Sequence, residues 1–457
     1  MATDAGAAAF ADAEVGELVR FQDKDGFLAL QKDFLEHAVN GDNTAVVLLQ
    51  GLEMRLDMYQ EQPYLLDPLL GELVSPPAET IQSYVKSRPN TSDTLTSTPL
   101  ALCCRLLYAY TKVRGAKVIS LFLTHEVADL VPVLRLIEAP GQPSWQVTYI
   151  LLLWLGLICL IPFTLGDVAD LSSIESVARR HIHCSGRERD AAAILLGNLY
   201  RRRDIGSEHF VLFLDWARNR LRENTSAFEA TGILQTLCNI VQNGDSDFVR
   251  QHLDDIAAVL DEYVSLGTRN TLIDRFRAKL TCRLALRIIE SNTMPNNVDD
   301  RVDVLVDELL RALQHPDSSV RYSGAKGIGR VCATIPPYFA AQVVAAVLGL
   351  MSDNIPGVPQ EALSLTSASH STTVQDALDS ATIDAVSDST WNGVLLAIAE
   401  LIRRTKIPAN MLGRTFTWVL RALFFEQQRG LGAIGTNVRD SACYVLWAAA
   451  RLPTDSL

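Results

Sequence analysis

Apolar residues recur along this chain at three- and four-residue spacing, in runs of roughly 12–20 residues separated by short polar or proline-bearing breaks. That period sets one face of a helix against a neighbour, and no stretch sustains the two-residue alternation that marks a sheet. The pattern predicts helices over Asn43–Tyr59, Leu100–Val113, His125–Ile137, Trp145–Leu160, Arg189–Tyr200, Glu208–Leu221, Phe228–Gln242 and Val249–Val264. Further helices are predicted over Thr271–Ile289, Asp299–Leu313, Ser319–Ala333, Phe339–Met351, Trp391–Arg404, Ala409–Phe425 and Val438–Arg451. Pro76, Pro77, Pro89 and the Ser/Thr cluster Thr91–Thr98 predict an exposed loop.

An internal repeat is most legible at Asp317-Ser-Ser-Val320-Arg321, followed by Gly324, Gly327, Ile328 and Gly329. This order resembles the second helix of a HEAT repeat: an Asp caps the helix, Val and a small residue four on face a neighbour, and small residues one turn later admit close approach. Asn437-Val438-Arg439-Asp440-Ser441-Ala442, continuing to Val445 and Leu446, repeats the order of polar cap, Val-Arg, small residue and apolar pair. Asp247-Phe248-Val249-Arg250 is a poorer echo, since Gln251, His252 and Leu253 supply no small residues. The expected fold is all-α, an armadillo/HEAT-like α-solenoid of stacked antiparallel helix pairs. It is expected to span residues 17–351 and 389–457, after a disordered tail over 1–16 and around a disordered Ser/Thr-rich insert over 352–388 whose hydroxyls are candidates for phosphorylation.

The segment between Glu138 and Asp167 carries no charge, and Tyr149–Ile161 is almost wholly apolar. Its continuous apolar core is shorter than the ~17–25 residues that span a bilayer and is bounded by Pro140, Pro143 and Pro162, so a helix buried on all sides is expected. Composition agrees: 48% hydrophobic with only 7% aromatic residues suits helices packed on helices. A formal charge of −12 argues against a general nucleic-acid binder. The eight cysteines, Cys103, Cys104, Cys159, Cys184, Cys238, Cys282, Cys332 and Cys443, lie mostly in apolar runs and nowhere as C-x-x-C, which predicts reduced core thiols and a cytosolic setting. Met1–Gly16 lacks the basic start and apolar core of a secretory signal.

Candidate chemistry is sparse. Gly324–Gly329 lacks phosphate-loop spacing and sits in a helix pattern, so its glycines are expected to serve helix packing. His181-Ile-His183-Cys184 gathers metal-ligand residue types, but residues two apart on a helix point to different faces and no second ligand pair follows. No nucleophile motif occurs, and no catalytic, metal or cofactor residues are expected. Trp154, Trp216, Trp418 and Trp447 are expected in the core. Arg201-Arg202-Arg203, with Arg218, Arg220 and Arg222, reads as solvated helix ends, or as a basic patch for an acidic protein.

Several ordered blocks resemble the tubulin-folding cofactor D family. They are Tyr59–Pro68 (YQEQPYLLDP), Lys112–Val118 (KVRGAKV) leading into His125–Leu130 (HEVADL), Trp145 through Tyr149–Trp154 to Ile161-Pro-Phe163, and Arg189–Ala193 (RDAAA). Further along come Val320-Arg321 through Ala325–Arg330 (AKGIGR), Trp391 with Leu396–Leu401 (LAIAEL), and Asn437–Tyr444 (NVRDSACY) ending in Trp447. Trp391-Asn392-Gly393 stands where the family-like pattern reads Trp-His-Gly, a change expected to leave the core undisturbed. The resemblance implies a non-enzymatic, cytoplasmic and microtubule-associated chaperone that captures β-tubulin after chaperonin release. It would join cofactors E and C to assemble the heterodimer while promoting tubulin GTP hydrolysis, and would bind an Arf-like small GTPase. It covers the first third or so of the family's length, so the solenoid is expected to be truncated at Leu457, leaving an apolar end face. The alternatives are a generic solenoid adaptor with a non-tubulin partner, or an inactive N-terminal fragment.

Overall fold

The computed structural model describes residues 20–87, 99–139, 143–205, 207–223, 226–265, 270–291, 299–352, 387–404, 407, 409–429 and 432–452. The tail over 1–16, the cluster Thr91–Thr98 and residues 353–386 of the Ser/Thr-rich insert lie outside them. The chain divides into two compact units, Met1–Gly206 and Ser207–Leu457. Each is a stack of antiparallel helix pairs, the armadillo/HEAT-like α-solenoid arrangement.

The first unit holds α1 (Lys24–Asn40), α2 (Thr44–Asp57), α3 (Leu70–Ser87), α4 (Pro99–Arg114), the single turn α5 (Ala116–Ile119), α6 (Leu130–Glu138), α7 (Trp145–Ile158), α8 (Leu171–His181) and α9 (Arg187–Tyr200). Helices α2, α4, α7 and α9 form one layer and α1, α3, α6 and α8 the other. The oily segment becomes α7, whose residues Val147 to Ile158 are all buried. Among the described residues no helix is long and apolar enough to cross a membrane. Two polar groups of α7 are met from neighbours: the Trp154 indole donates to the Thr124 carbonyl at 2.9 Å, and the Asn198 amide to the Gly156 carbonyl at 2.9 Å.

Pro76 and Pro77 do not mark a loop. They lie inside α3, and Pro77 is buried. A proline has no N–H for the carbonyl four residues back, which for Pro77 is that of Leu73. The buried Gln31 amide donates to that carbonyl at 2.9 Å, and the Tyr110 hydroxyl donates in turn to the Gln31 side-chain oxygen. Long-range side-chain partners therefore replace the missing rung. Helices α1 and α8 carry no prediction above. Where one helix is expected over His125–Ile137, a 3-10 turn at Val127–Asp129 leads into the shorter α6.

The second unit holds α10 (Ser207–Arg222), α11 (Ala227–Asn243), α12 (Ser246–Gln251), α13 (Leu253–Ser265), α14 (Thr271–Ser291), α15 (Asp300–Leu313), α16 (Ser318–Thr334), α17 (Pro337–Ser352), α18 (Asp388–Ile402), α19 (Ala409–Ala422) and α20 (Thr436–Ala450). One layer is α11, α14, α16, α18 and α20 in sequence; the other includes α10, α13, α15, α17 and α19. The helix expected over Val249–Val264 breaks at the buried His252 into α12 and α13. A short antiparallel hairpin, β1 (Gln427–Arg429) with β2 (Gly432–Ile434), precedes α20. Its three-residue strands are too brief to show alternation.

Side-chain caps set several helix starts, as the sequence indicates for α16: the Ser319 N–H donates to the Asp317 carboxylate at 2.8 Å. Asn437 does not play that part in α20, where Gly435 occupies the cap without a side-chain bond. The α16 glycines serve close packing. A Cβ on Gly324 would sit 2.9 Å from the Ala312 Cβ, one on Gly327 2.9 Å from Leu309, and one on Gly329 3.0 Å from the Glu400 Cβ. Cys103, Cys104, Cys159, Cys238, Cys282 and Cys332 are buried thiols, whereas Cys184 is partly exposed and Cys443 exposed. Of the four tryptophans placed in the core by sequence, Trp154 is buried, Trp216 and Trp418 are half-buried, and Trp447 is 48% exposed.

Candidate protein-interaction surface

The polar clusters singled out in the sequence resolve into structural contacts. His181 Nδ1 is hydrogen-bonded to the Val177 carbonyl at 2.9 Å, and burial, chiefly, lowers its pKa. No cluster of three or more metal-ligating side chains occurs among the described residues. Of the arginines expected at solvated helix ends, Arg202 is largely enclosed and engaged, while Arg220 and Arg222 stay well exposed in the last turn of α10. Arg202, its side chain only 8% exposed, bonds the Asp204 carboxylate at 2.8 Å. It also donates to the carbonyls of Cys159 (2.6 Å), Ile161 (2.9 Å) and Phe163, in the turn that follows α7. In the second unit Arg220 bonds Glu229 at 2.7 Å and Arg222 bonds Glu262 at 2.8 Å.

Two buried polar assemblies tie the α16, α18 and α20 helices into one wall. Arg321, 2% exposed, donates to the Asn392 side-chain oxygen at 2.7 Å and to the His315 and Pro316 carbonyls, each at 2.7 Å. The Asn392 amide then donates to the Asn437 carbonyl at 2.7 Å. Asn392 is thus a bridge between three helices. Gly393, next to it, is required by packing: a Cβ there would lie 1.9 Å from the Leu313 carbonyl oxygen. Glu400, fully buried, forms the second assembly, accepting from the Tyr444 hydroxyl at 2.7 Å and pairing with Arg403 at 3.2 Å and with Arg404. Burial opposes ionisation of Glu400, but the Tyr444 hydrogen bond and the Arg404 guanidinium outweigh it and lower its pKa below the usual 4.5.

On the solvent side of this layer lies a face that sequence reading did not find. Arg275, Lys279 and Arg283 follow one another at four-residue spacing on α14, as do Tyr322, Lys326 and Arg330 on α16. Each row therefore runs along one side of its helix. The cations lie over rings: Lys279 is 4.8 Å from the Phe276 ring centre, Lys326 5.5 Å from Tyr322, and Arg451 4.9 Å from Trp447. Trp447 stacks on Tyr444 at 5.7 Å, and Arg403 donates to the Tyr444 hydroxyl at 3.0 Å, carrying the pattern across α18 to α20. Burial, then the like charges of Arg275, Arg283 and Lys326, push the Lys279 ammonium down to about 8. On α15, in the other layer, Asp303 is pushed up by burial and by the like charges of Asp300 and Asp307 beside it. The cations were hidden in the sequence because each helix contributes only a few. The signal that would have revealed them is the matching four-residue row on successive helices of one layer.

The first unit presents an apolar stripe instead. Val47, Met54 and Met58 fall on one side of α2 and its C-terminal turn and are 66%, 72% and 55% exposed. Flexible methionines suit contact with a protein surface.

Family profiles described as tubulin-specific chaperone D-like armadillo repeats match residues 56–221, and again 283–358 and 357–454. The chain belongs to the tubulin-specific chaperone D-like family. Among curated relatives, the tubulin-folding cofactor D of Schizosaccharomyces pombe is 24% identical, the match covering 86% of this chain and 35% of that protein. The tubulin-specific chaperone D of Dictyostelium discoideum is 23% identical, covering 88% and 36% respectively. The chain thus spans little more than a third of the length of these chaperone D relatives. A solved structure of Kap95p with RanGDP superposes with a TM-score of 0.45 at 14% identity, covering 94% of this chain and 48% of that one, a likeness too loose to carry any argument.

Proposed function

We propose that this chain supplies a solenoid portion of a tubulin-folding chaperone, one that captures β-tubulin after chaperonin release and helps assemble the α/β heterodimer. The observation that carries the reading is the chaperone D-like match in both units, at 56–221 and 283–454. In the proposed mechanism the chain performs no chemistry of its own. It holds a large partner against an extended layer of helices, each making a few contacts, and tubulin's GTP hydrolysis is promoted when cofactors E and C join the assembly. An Arf-like small GTPase would regulate the complex, and the cytoplasm, including the neighbourhood of microtubules, is where it would act. Exposed methionines on α2 and its C-terminal turn, and the cationic, aromatic face of the second unit, support such a role, since both suit a protein partner more than a small substrate.

The test is co-purification of β-tubulin with the affinity-tagged chain and with any longer product that contains it. Retention of β-tubulin through a wash that removes it from an unrelated helical-repeat protein is expected. Its absence from the longer product would exclude the chaperone reading and leave a solenoid adaptor for some other partner.

A further inference from the structure

We propose that the cation- and ring-bearing surface of α14, α16 and α20, joined by Arg403 just past the end of α18, is a docking surface for an acidic, extended polypeptide segment of a partner. The first support is the absence of counter-charge. Arg275, Lys279, Lys326 and Arg330 carry positive charge on neighbouring helix faces, and no carboxylate among the described residues forms a salt bridge with any of them. Such a cluster costs the free chain self-repulsion, which a bound anion relieves. The second is geometry. Adjacent helices in a packed layer lie about 9 Å apart, so crossing from α14 to α20 takes about 27 Å, the span of about eight extended residues. The third is the mixture of cation and ring: Phe276, Tyr322 and Trp447 each lie beneath a Lys or Arg, giving a peptide apolar contact between its charges.

An acidic peptide suits the surface better than a nucleic acid. The chain's net charge is −12, and Asp300, Asp303 and Asp307 crowd the other layer of the same unit, so the wider field repels a long polyphosphate while the local patch attracts a short acidic segment. The inference rests on the chaperone reading for which protein brings the segment, but not for the contact chemistry.

The probe is fluorescein-labelled octaglutamate, followed by anisotropy with the purified chain. Saturable binding that weakens with added salt is expected, and Lys279→Glu with Lys326→Glu should weaken it about tenfold or more. Lys32→Glu, an exposed lysine of the first unit, should leave it unchanged. The milder pair Lys279→Met and Lys326→Met, which retains the apolar stems, should fall between and guards against misfolding of the charge-reversed chain. Absence of binding, indifference to the double reversal, or tighter binding of oligouridylate of the same charge would overturn the proposal. β-Tubulin capture by a chain whose octaglutamate binding ignores the double reversal would remove this proposal alone. Octaglutamate binding of the expected kind without β-tubulin capture would remove the chaperone reading alone.

Discussion

Arg321 is a buried cation held by one side-chain oxygen and two backbone carbonyls, with Asn392 also serving the Asn437 carbonyl. Removing Asn392 therefore orphans a charged donor and a backbone acceptor together, and Asn392→Ala is expected to cost about 2–4 kcal/mol, read as a lower urea midpoint at unchanged slope. Lys279 makes the opposite case. Its pKa falls from 10.5 to about 8 on folding, so the folded state disfavours the charged ammonium. The penalty is fully present below pH 8 and relaxes as pH rises from about 8 towards 10.5, because there the unfolded chain binds the proton that the folded chain has released. Lys279→Met should accordingly raise stability at pH 7 by up to about 1 kcal/mol, the partial exposure of the site being allowed for. That advantage should shrink in melts at pH 9 and above. At this scale the sequence spoke unevenly. Asp317 declared its capping role through its neighbours, while Asn392 looked neutral because its two partners lie 71 and 45 residues away.

Helices of this chain are legible where the apolar period is unbroken and are lost where a long-range contact repairs a local fault. Proline in the middle of α3 argues for a loop, and Gln31, 42 residues from the Leu73 carbonyl it serves, satisfies the acceptor that Pro77 leaves open. The break between α12 and α13, where an unbroken helix is expected, follows directly on the weak repeat at Asp247–Arg250. Close approach is most demanding at α18. Gly393→Ala would drive a methyl group into the Leu313 carbonyl, 1.9 Å from its ideal position, and helix backbone cannot yield as a side-chain tip can. The expected cost is about 3 kcal/mol, with lost protection of α15 and α18 amides in hydrogen exchange.

For the molecule as a whole, composition and periodicity fixed the fold class, and a series of short blocks pointed to the family that the profiles at 56–221 and 283–454 show. The proposed docking face was not legible in the same way. A repeat pattern is written in inward residues that every solenoid needs, whereas Lys279, Lys326 and Trp447 form a surface only after their helices are stacked. The proposed capture of β-tubulin is tested most directly by a titration of labelled, chaperonin-released β-tubulin with the chain and with a longer product containing it. Saturable binding by the longer product, approaching one partner per chain, is the predicted result. No saturable binding, or binding no tighter than to an unrelated helical-repeat protein of similar charge, would contradict it.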